Sequence, residues 1–373
     1  MAVNELLAKF HEIAESPKKQ LDGYLAAGKK VVACVPVYTP EEIIHSMGLV
    51  PMGAWGADTE LKESKRYFPA FICSIMQSVL ELGIAGEYNG ISALVVPSLC
   101  DSLKCLGQNW KYAVKDIPFI PMTYPQNRTN EVGKAFTKAG YERVISDLTV
   151  ATGAQFSEVK LAQSIEIYNE HNAVMRELSE VLADHPSVLP SQRNDIFKSA
   201  WFMLKEEHTA LVKELLAELK AMPKEENDRI KVVISGILAD SPSLLKVFDD
   251  NGLQVVADDV AHESRQYRTD VPKMDNPVDA MAEKFAQMDN CSVLFDVEKK
   301  RADYIVELAK KYDARGVIVL MTKFCDPEEF DFVMIKKACE KADLQLIQIE
   351  VDRQMVNYEQ ANTMIQTFKE MLQ

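Results

Sequence analysis

Short apolar runs alternate with segments of helical period along most of this chain. In the first third the runs are 30–36 (KVVACVP), 49–55, 91–97 (ISALVVP) and 117–122. Each is too short for a buried helix and is bounded by turn residues, so each predicts a buried strand. Between them, Thr39-Pro40-Glu41-Glu42 has the composition of a helix start: Thr39 as cap, Pro40 at the first helical position and Glu42 closing a capping box, with Gly48 as the stop. Apolar positions 75, 76, 79 and 80 predict a helix over 73–82 that ends at Gly83, and another helix follows from about Asp101. From 130 to 221 the pattern is helical throughout, and 222–228 (MPKEEND) reads as a linker. The alternation then restarts, with strands expected at 231–237, 253–257, 316–321 and 344–350. Helices are expected near 242–250, 276–289, 299–313, 327–341 and 357–371. Strands separated by helices imply βαβ units and parallel sheets. The predicted fold is therefore α/β, with two Rossmann-like parallel-sheet domains (1–129 and 228–373) joined by a mainly helical segment and linker (130–227).

Composition narrows the function. The 373 residues allow two or three domains, and 47% hydrophobic content is enough for full cores. A formal net charge of −14 argues against nucleic-acid or anionic-membrane partners, since both recruit Lys and Arg. The N-terminal residues do not resemble a secretory signal, and no apolar run approaches the ~20 residues of a membrane span. A soluble, cytoplasmic protein is expected. Gly23-Tyr24-Leu25-Ala26-Ala27-Gly28-Lys29-Lys30 comes near a phosphate-binding loop. However, Lys30 stands where Ser or Thr is needed, and the segment precedes a strand instead of following one. Gly28 is more simply a helix stop. No GxGxxG, GxSxG or HExxH occurs, and His11, His171 and His208, beside charged residues on helical segments, read as surface histidines.

The seven cysteines include no CxxC pair. An odd count in a large intracellular chain points to free thiols, metal ligands or catalysis. Cys34, Cys291 and Cys339 read as small buried hydrophobes, and Cys105 projects to a different helix face from Cys100. Three cysteines stand apart. Cys100 ends one strand run and precedes Asp101; Cys325 ends another and precedes Asp326; Cys73 opens a helix. Free N–H groups at a helix start favour a thiolate, and the carboxyl ends of parallel strands are where α/β proteins place their sites. Each following Asp is expected to cap its helix. Three such thiolates suit a metal or an iron–sulfur cluster, and the alternative is three unrelated buried thiols.

At these residues the chain resembles the 2-hydroxyacyl-CoA dehydratase family, which includes benzoyl-CoA reductase subunits. The resemblance rests on YTPEEIIHSMGLVPMGAWG (38–56), CSIMQSVLELG (73–83), VVPSLCDSLKCLGQNW (95–110) and KFCDPEEFDF (323–332), with a looser match in VADDVAHESRQYRTD (256–270). It spans nearly the whole chain, and the length is that of the smaller β subunit. The resemblance implies a 4Fe-4S cluster held by Cys73, Cys100 and Cys325, with one iron left without a protein cysteine. It also implies an α subunit carrying a second cluster, in a heterodimer or a dimer of heterodimers. An ATP-dependent iron–sulfur activator is implied as the source of one electron. The implied reaction is oxygen-sensitive elimination of water from an (R)-2-hydroxyacyl-CoA through a ketyl radical. A benzoyl-CoA-type reductase subunit and a non-catalytic electron relay are the alternatives. No catalytic base is assigned, the acyl group is not legible, and Arg265 and Arg268 in the looser motif have no assigned role.

Overall fold

All eight expected strands are present in a computed structural model that describes residues 2–225, 227–355 and 357–372. They form two four-stranded sheets. The first contains β1 (Val31–Cys34), β2 (Val50–Gly53), β3 (Ala93–Pro97) and β4 (Phe119–Met122) in the order β2-β1-β3-β4. The second contains β5 (Ile230–Gly236), β6 (Leu253–Val260), β7 (Gly316–Thr322) and β8 (Gln345–Val351) in the order β6-β5-β7-β8. Every pairing is parallel. The two sheets therefore repeat one topology. In each, the order reverses beside the first strand, which opens a crevice at the carboxyl ends of the first and third strands.

Burial explains the sequence pattern. β1, β3, β6 and β7 are buried along their whole length, as strands covered on both faces must be. In β5, Val232 and Ile234 join the core containing Phe248 and Phe368, while Val233 points to the opposite core with Ile305 and Cys339. A third, larger core runs from Leu6 through the first sheet and the helical segment to Leu294 and Cys325. The helical stretch resolves into Glu131–Thr152, Glu158–Leu182, Pro190–Ser199 and Lys205–Ala221. It is tied to the second half by Lys134–Glu283 (2.9 Å) and Lys138–Asp279 (2.7 Å) ion pairs. In the expected linker, 222–225 and 227–228 carry no helix or strand, and Glu226 lies outside the described residues. Among the described residues no helix is long and apolar enough to cross a membrane.

Three local expectations are corrected. Thr39 is not a cap: its hydroxyl donates to the Val35 carbonyl (2.8 Å), and the helix Glu41–Ser46 begins after Pro40. Glu42 closes no capping box; it is buried and paired with Lys284 at 2.6 Å. The helix opened by Cys73 runs past Gly83 to Ala85 and is stopped by Gly86, whose φ of 84° needs a residue without Cβ.

Candidate functional site

Cys73, Cys100 and Cys325 occupy the same local position in three elements. Each is the N-cap residue of a helix: Ser74–Ala85, Asp101–Ala113 and Asp326–Lys341 respectively. Cys100 follows β3 and Cys325 follows β7, which are the equivalent strands of the two sheets. The three side chains, with Cys325 more than 200 residues from the other two in sequence, line one cavity of about 650 Å³. Its other walls include Val37 and Trp55 from beyond β1 and β2, and Ser292–Phe295 from the second half. Asp101 and Asp326 are therefore the first residues inside their helices and not the caps, which corrects the expectation from sequence. Asp101 pairs with Lys104 at 3.0 Å.

The helix starts act on the sulfurs as expected, but burial outweighs them. Backbone N–H groups of Ile75 and Met76 reach Cys73, those of Ser102 and Leu103 reach Cys100, and that of Glu328 reaches Cys325. Burial nonetheless pushes the Cys73 thiol up to about 12, assisted by the nearby Cys100 sulfur. It also raises Cys100, and raises Cys325 well above its ordinary value with help from Cys73. The expectation of low-pKa thiolates is thus corrected for the protein alone, because desolvation of the buried sulfurs disfavours negative charge. A bound cation reverses that balance, since a coordinating thiol is deprotonated outright.

An iron–sulfur cluster calls for soft sulfur donors. Three soft sulfur ligands facing one cavity suit it chemically. Among the described residues, no three His, Cys, Asp or Glu side chains gather closely enough for one metal ion. The sulfurs stand one at each of three helix starts. Cys105 is exposed, and Cys34, Cys291 and Cys339 are buried, as expected. Cys291 has specific partners: the Tyr38 hydroxyl donates to its sulfur at 3.0 Å, and Arg265 Nη1 lies at 3.6 Å.

A buried ionic network adjoins the cavity, and sequence reasoning did not find it. Asp259, at the end of β6, accepts from Arg265 (3.1 Å), Arg268 (2.9 Å) and Arg301 (2.7 Å). Glu328, in the first turn after Cys325, accepts from Arg301 (2.8 Å), Arg265 (3.2 Å) and the cavity-wall Ser292 (2.7 Å). Burial opposes ionisation of Glu328, but Arg301 and Arg265 outweigh it and hold its carboxyl below the ordinary value. The only signal in the sequence was density of charge: Arg265 of the looser motif 256–270 pairs with Glu328 of the third cysteine motif, and Arg301, which lies in neither, bridges Asp259 and Glu328.

A second clasp spans the two halves. Arg353 donates to Asp240 through both terminal nitrogens (2.9 and 3.0 Å), to Asp58 (3.2 Å) and to the Trp55 carbonyl (3.0 Å). Trp55, Trp201 and His262 pack ring to ring beside it. His171 and His208 are fully buried, not surface residues, and bond each other at 3.0 Å. Their apolar neighbours come from other helices and from Tyr267, which local sequence cannot reveal. Desolvation pushes His208 and His262 down to about 3 and His171 well below its ordinary value.

Comparison with known proteins gives a consistent picture. Residues 36–372 match the family described as 2-hydroxyglutaryl-CoA dehydratase, D-component. The chain is 47% identical to the (R)-phenyllactyl-CoA dehydratase beta subunit of Clostridium sporogenes, covering 97% of each. It is 42% identical to the lactoyl-CoA dehydratase subunit beta of Anaerotignum propionicum, covering 99% of each. Identity to the (R)-2-hydroxyglutaryl-CoA dehydratase subunit beta of Acidaminococcus fermentans is 38%, covering 100% of each.

Proposed function

This chain belongs to the 2-hydroxyglutaryl-CoA dehydratase D-component family, as the β subunit of a 2-hydroxyacyl-CoA dehydratase, and from that premise we propose that Cys73, Cys100 and Cys325 hold a 4Fe-4S cluster in the cavity they share. The enzyme is a hydro-lyase. The observation that carries the cluster assignment is the convergence of three helix-capping cysteines, two of them from equivalent strands, on one cavity of about 650 Å³.

The reaction needs such equipment because the proton to be removed lies β to the thioester, where the carbonyl does not acidify it. A side-chain base alone is badly mismatched to that proton. When bound, the cluster would supply one-electron transfer: the reduced thioester, a ketyl radical, would lose hydroxide from Cα, the resulting enoxy radical would have an acidic β-proton, and the electron would be returned after that proton is lost. The chain's own contribution is placement. Cys73, Cys100 and Cys325 supply the sulfurs, and the helix-start N–H groups offset the negative charge that ligation leaves on them. The apolar walls formed by Val37, Leu99 and Leu294 exclude water from that charge.

The partner is a homologous α subunit with its own cluster, and the electron comes from an ATP-dependent iron–sulfur activator. The partner docks around the mouth of the cavity. Phe295, Phe324, Phe330 and Met334 line it and are 48%, 38%, 77% and 45% exposed, and Phe71, two residues before Cys73, is 72% exposed. Apolar surface of that extent marks interaction sites.

The test is the metal content of anaerobically purified protein. About four irons and four sulfides per chain, with a brown colour, are expected. Colourless protein with stoichiometric zinc would overturn the assignment.

A further inference from the structure

We propose that Glu328 is a positioning residue for the cluster site: through Arg265, Arg301 and Ser292 it locks the turn that carries Cys325 to the cavity wall at Ser292. This inference rests on the cluster assignment above and concerns a side chain bonded into the ionic network.

The turn needs such an anchor. Between the end of β7 at Thr322 and the helix Asp326–Lys341, the chain reverses over Lys323, Phe324 and Cys325. Phe324 takes φ 60°, in the left-handed region that favours glycine. A bulky residue stays there only when its surroundings over-determine it. Cys325 itself is held by its own helix start, its carbonyl accepting from the Glu328 and Glu329 amides at 3.0 Å each. Those bonds fix the first turn internally but do not fix the turn relative to Cys73 and Cys100, which belong to the other sheet.

Glu328 supplies the external reference. It is 0% exposed. One carboxylate oxygen accepts from Ser292 (2.7 Å) and Arg265 (3.2 Å), the other from Arg301 (2.8 Å). Ser292 lines the cavity, so a single carboxylate joins the helix that begins at Cys325 to the adjoining cavity wall at Ser292. Arg265 and Arg301 continue to Asp259 at the end of β6, and Arg301 also reaches Asp331, one turn further along the same helix (3.1 Å). The helix is thus gripped at two successive turns. Buried ion pairs of this kind give little net stability, because desolvation cancels most of the attraction. Their directional bonds do fix geometry, and partners behind metal ligands commonly set affinity for the metal.

A neighbouring network provides the internal control. Glu263 is equally buried and pairs with Arg193 and Asn194, joining β6 to the helix Pro190–Ser199, and none of these residues lines the cavity. A merely structural role for buried carboxylates predicts equal effects at both sites.

The experiment compares wild type, Glu328→Gln, Ser292→Ala and Glu263→Gln, each assembled with the partner subunit and purified anaerobically. Iron release to a chelator and the electron paramagnetic resonance line shape of the reduced complex are read beside the melting temperature. Glu328→Gln is expected to add a release phase about 10-fold or more faster than wild type and to change the line shape. Ser292→Ala should do the same to a smaller extent, and Glu263→Gln should leave both readouts as in wild type. Wild-type release from Glu328→Gln, or equally fast release from Glu263→Gln, overturns the inference. If Glu328→Gln does not fold, Ser292→Ala decides: an unchanged release profile and line shape overturn it. Wild-type complex in which this chain holds no iron overturns the cluster assignment instead.

Discussion

The same residue type has three fates in this chain, and position alone separates them. Cys73, Cys100 and Cys325 cap helices at one cavity, Cys105 is exposed one turn along the helix from Cys100, and Cys34 and Cys339 fill core. Substitution of Cys73, Cys100 or Cys325 by serine is expected to remove most of the iron of anaerobically purified protein. Serine at Cys105 or Cys339 should retain it. Loss of iron in Cys105→Ser with retention in Cys100→Ser would reverse the assignment of these two neighbours. The histidines give a separate residue-level expectation. His208 and His262 titrate at about 3 in the fold against an ordinary 6.5, so between those values the unfolded chain binds more protons. Stability from these groups is complete above pH 6.5 and is lost as pH falls through that window. The melting temperature should drop measurably between about pH 7 and about pH 5, and a flat profile there would contradict burial of the neutral rings.

At the scale of elements, the sequence was most informative where burial is two-sided. Runs such as VVAC in β1 and GVIVLMT in β7 can only be covered strands, and all eight appear close to their expected limits. Helix starts were located through Cys73, Cys100 and Cys325, but Asp101 and Asp326 were mistaken for caps, because an acid suits either the cap or the first turn. What stayed hidden depends on pairs far apart in sequence. Glu328 needs Arg265 and Arg301, and Arg353 needs Asp58 and Asp240, and no local period encodes such partners. The repeated strand order was hidden as well, since parallel sheets constrain hydrophobicity and not residue identity. That order makes Gly236, at the end of β5 beside β7, a test of the crevice. A Cβ there would stand 2.5 Å from the Leu320 carbonyl oxygen, and φ is 155°. Gly236→Ala must push β5 from β7 at the crevice, so a loss on the order of 2 kcal/mol is expected in denaturant unfolding. Wild-type stability in that variant would mean the two strand ends yield freely.

For the whole molecule, the distribution of exposed apolar side chains bears on assembly. Phe71, Phe295, Phe324, Phe330 and Met334 come from three distant segments, yet each lies on or beside the cavity that holds the three cysteines. Apolar side chains gathered at one rim in this way are unfavourably exposed when the chain stands alone. An obligate subunit interface commonly covers more than about 2,000 Å² with an apolar centre, and aromatic side chains carry a large share of such binding. Phe330 is 77% exposed, so Phe330→Ser removes little that the isolated fold uses. It should leave the melting temperature of the chain nearly unchanged while weakening the heterodimer about 10-fold or more. Val150 offers the comparison: it is 85% exposed on the helix Glu131–Thr152 and does not line the cavity. Val150→Ser should leave the affinity for the partner unchanged. Analytical ultracentrifugation of the anaerobic pair over a dilution series distinguishes the outcomes. Equal weakening by both substitutions, or by neither, would place the partner on another face of the molecule.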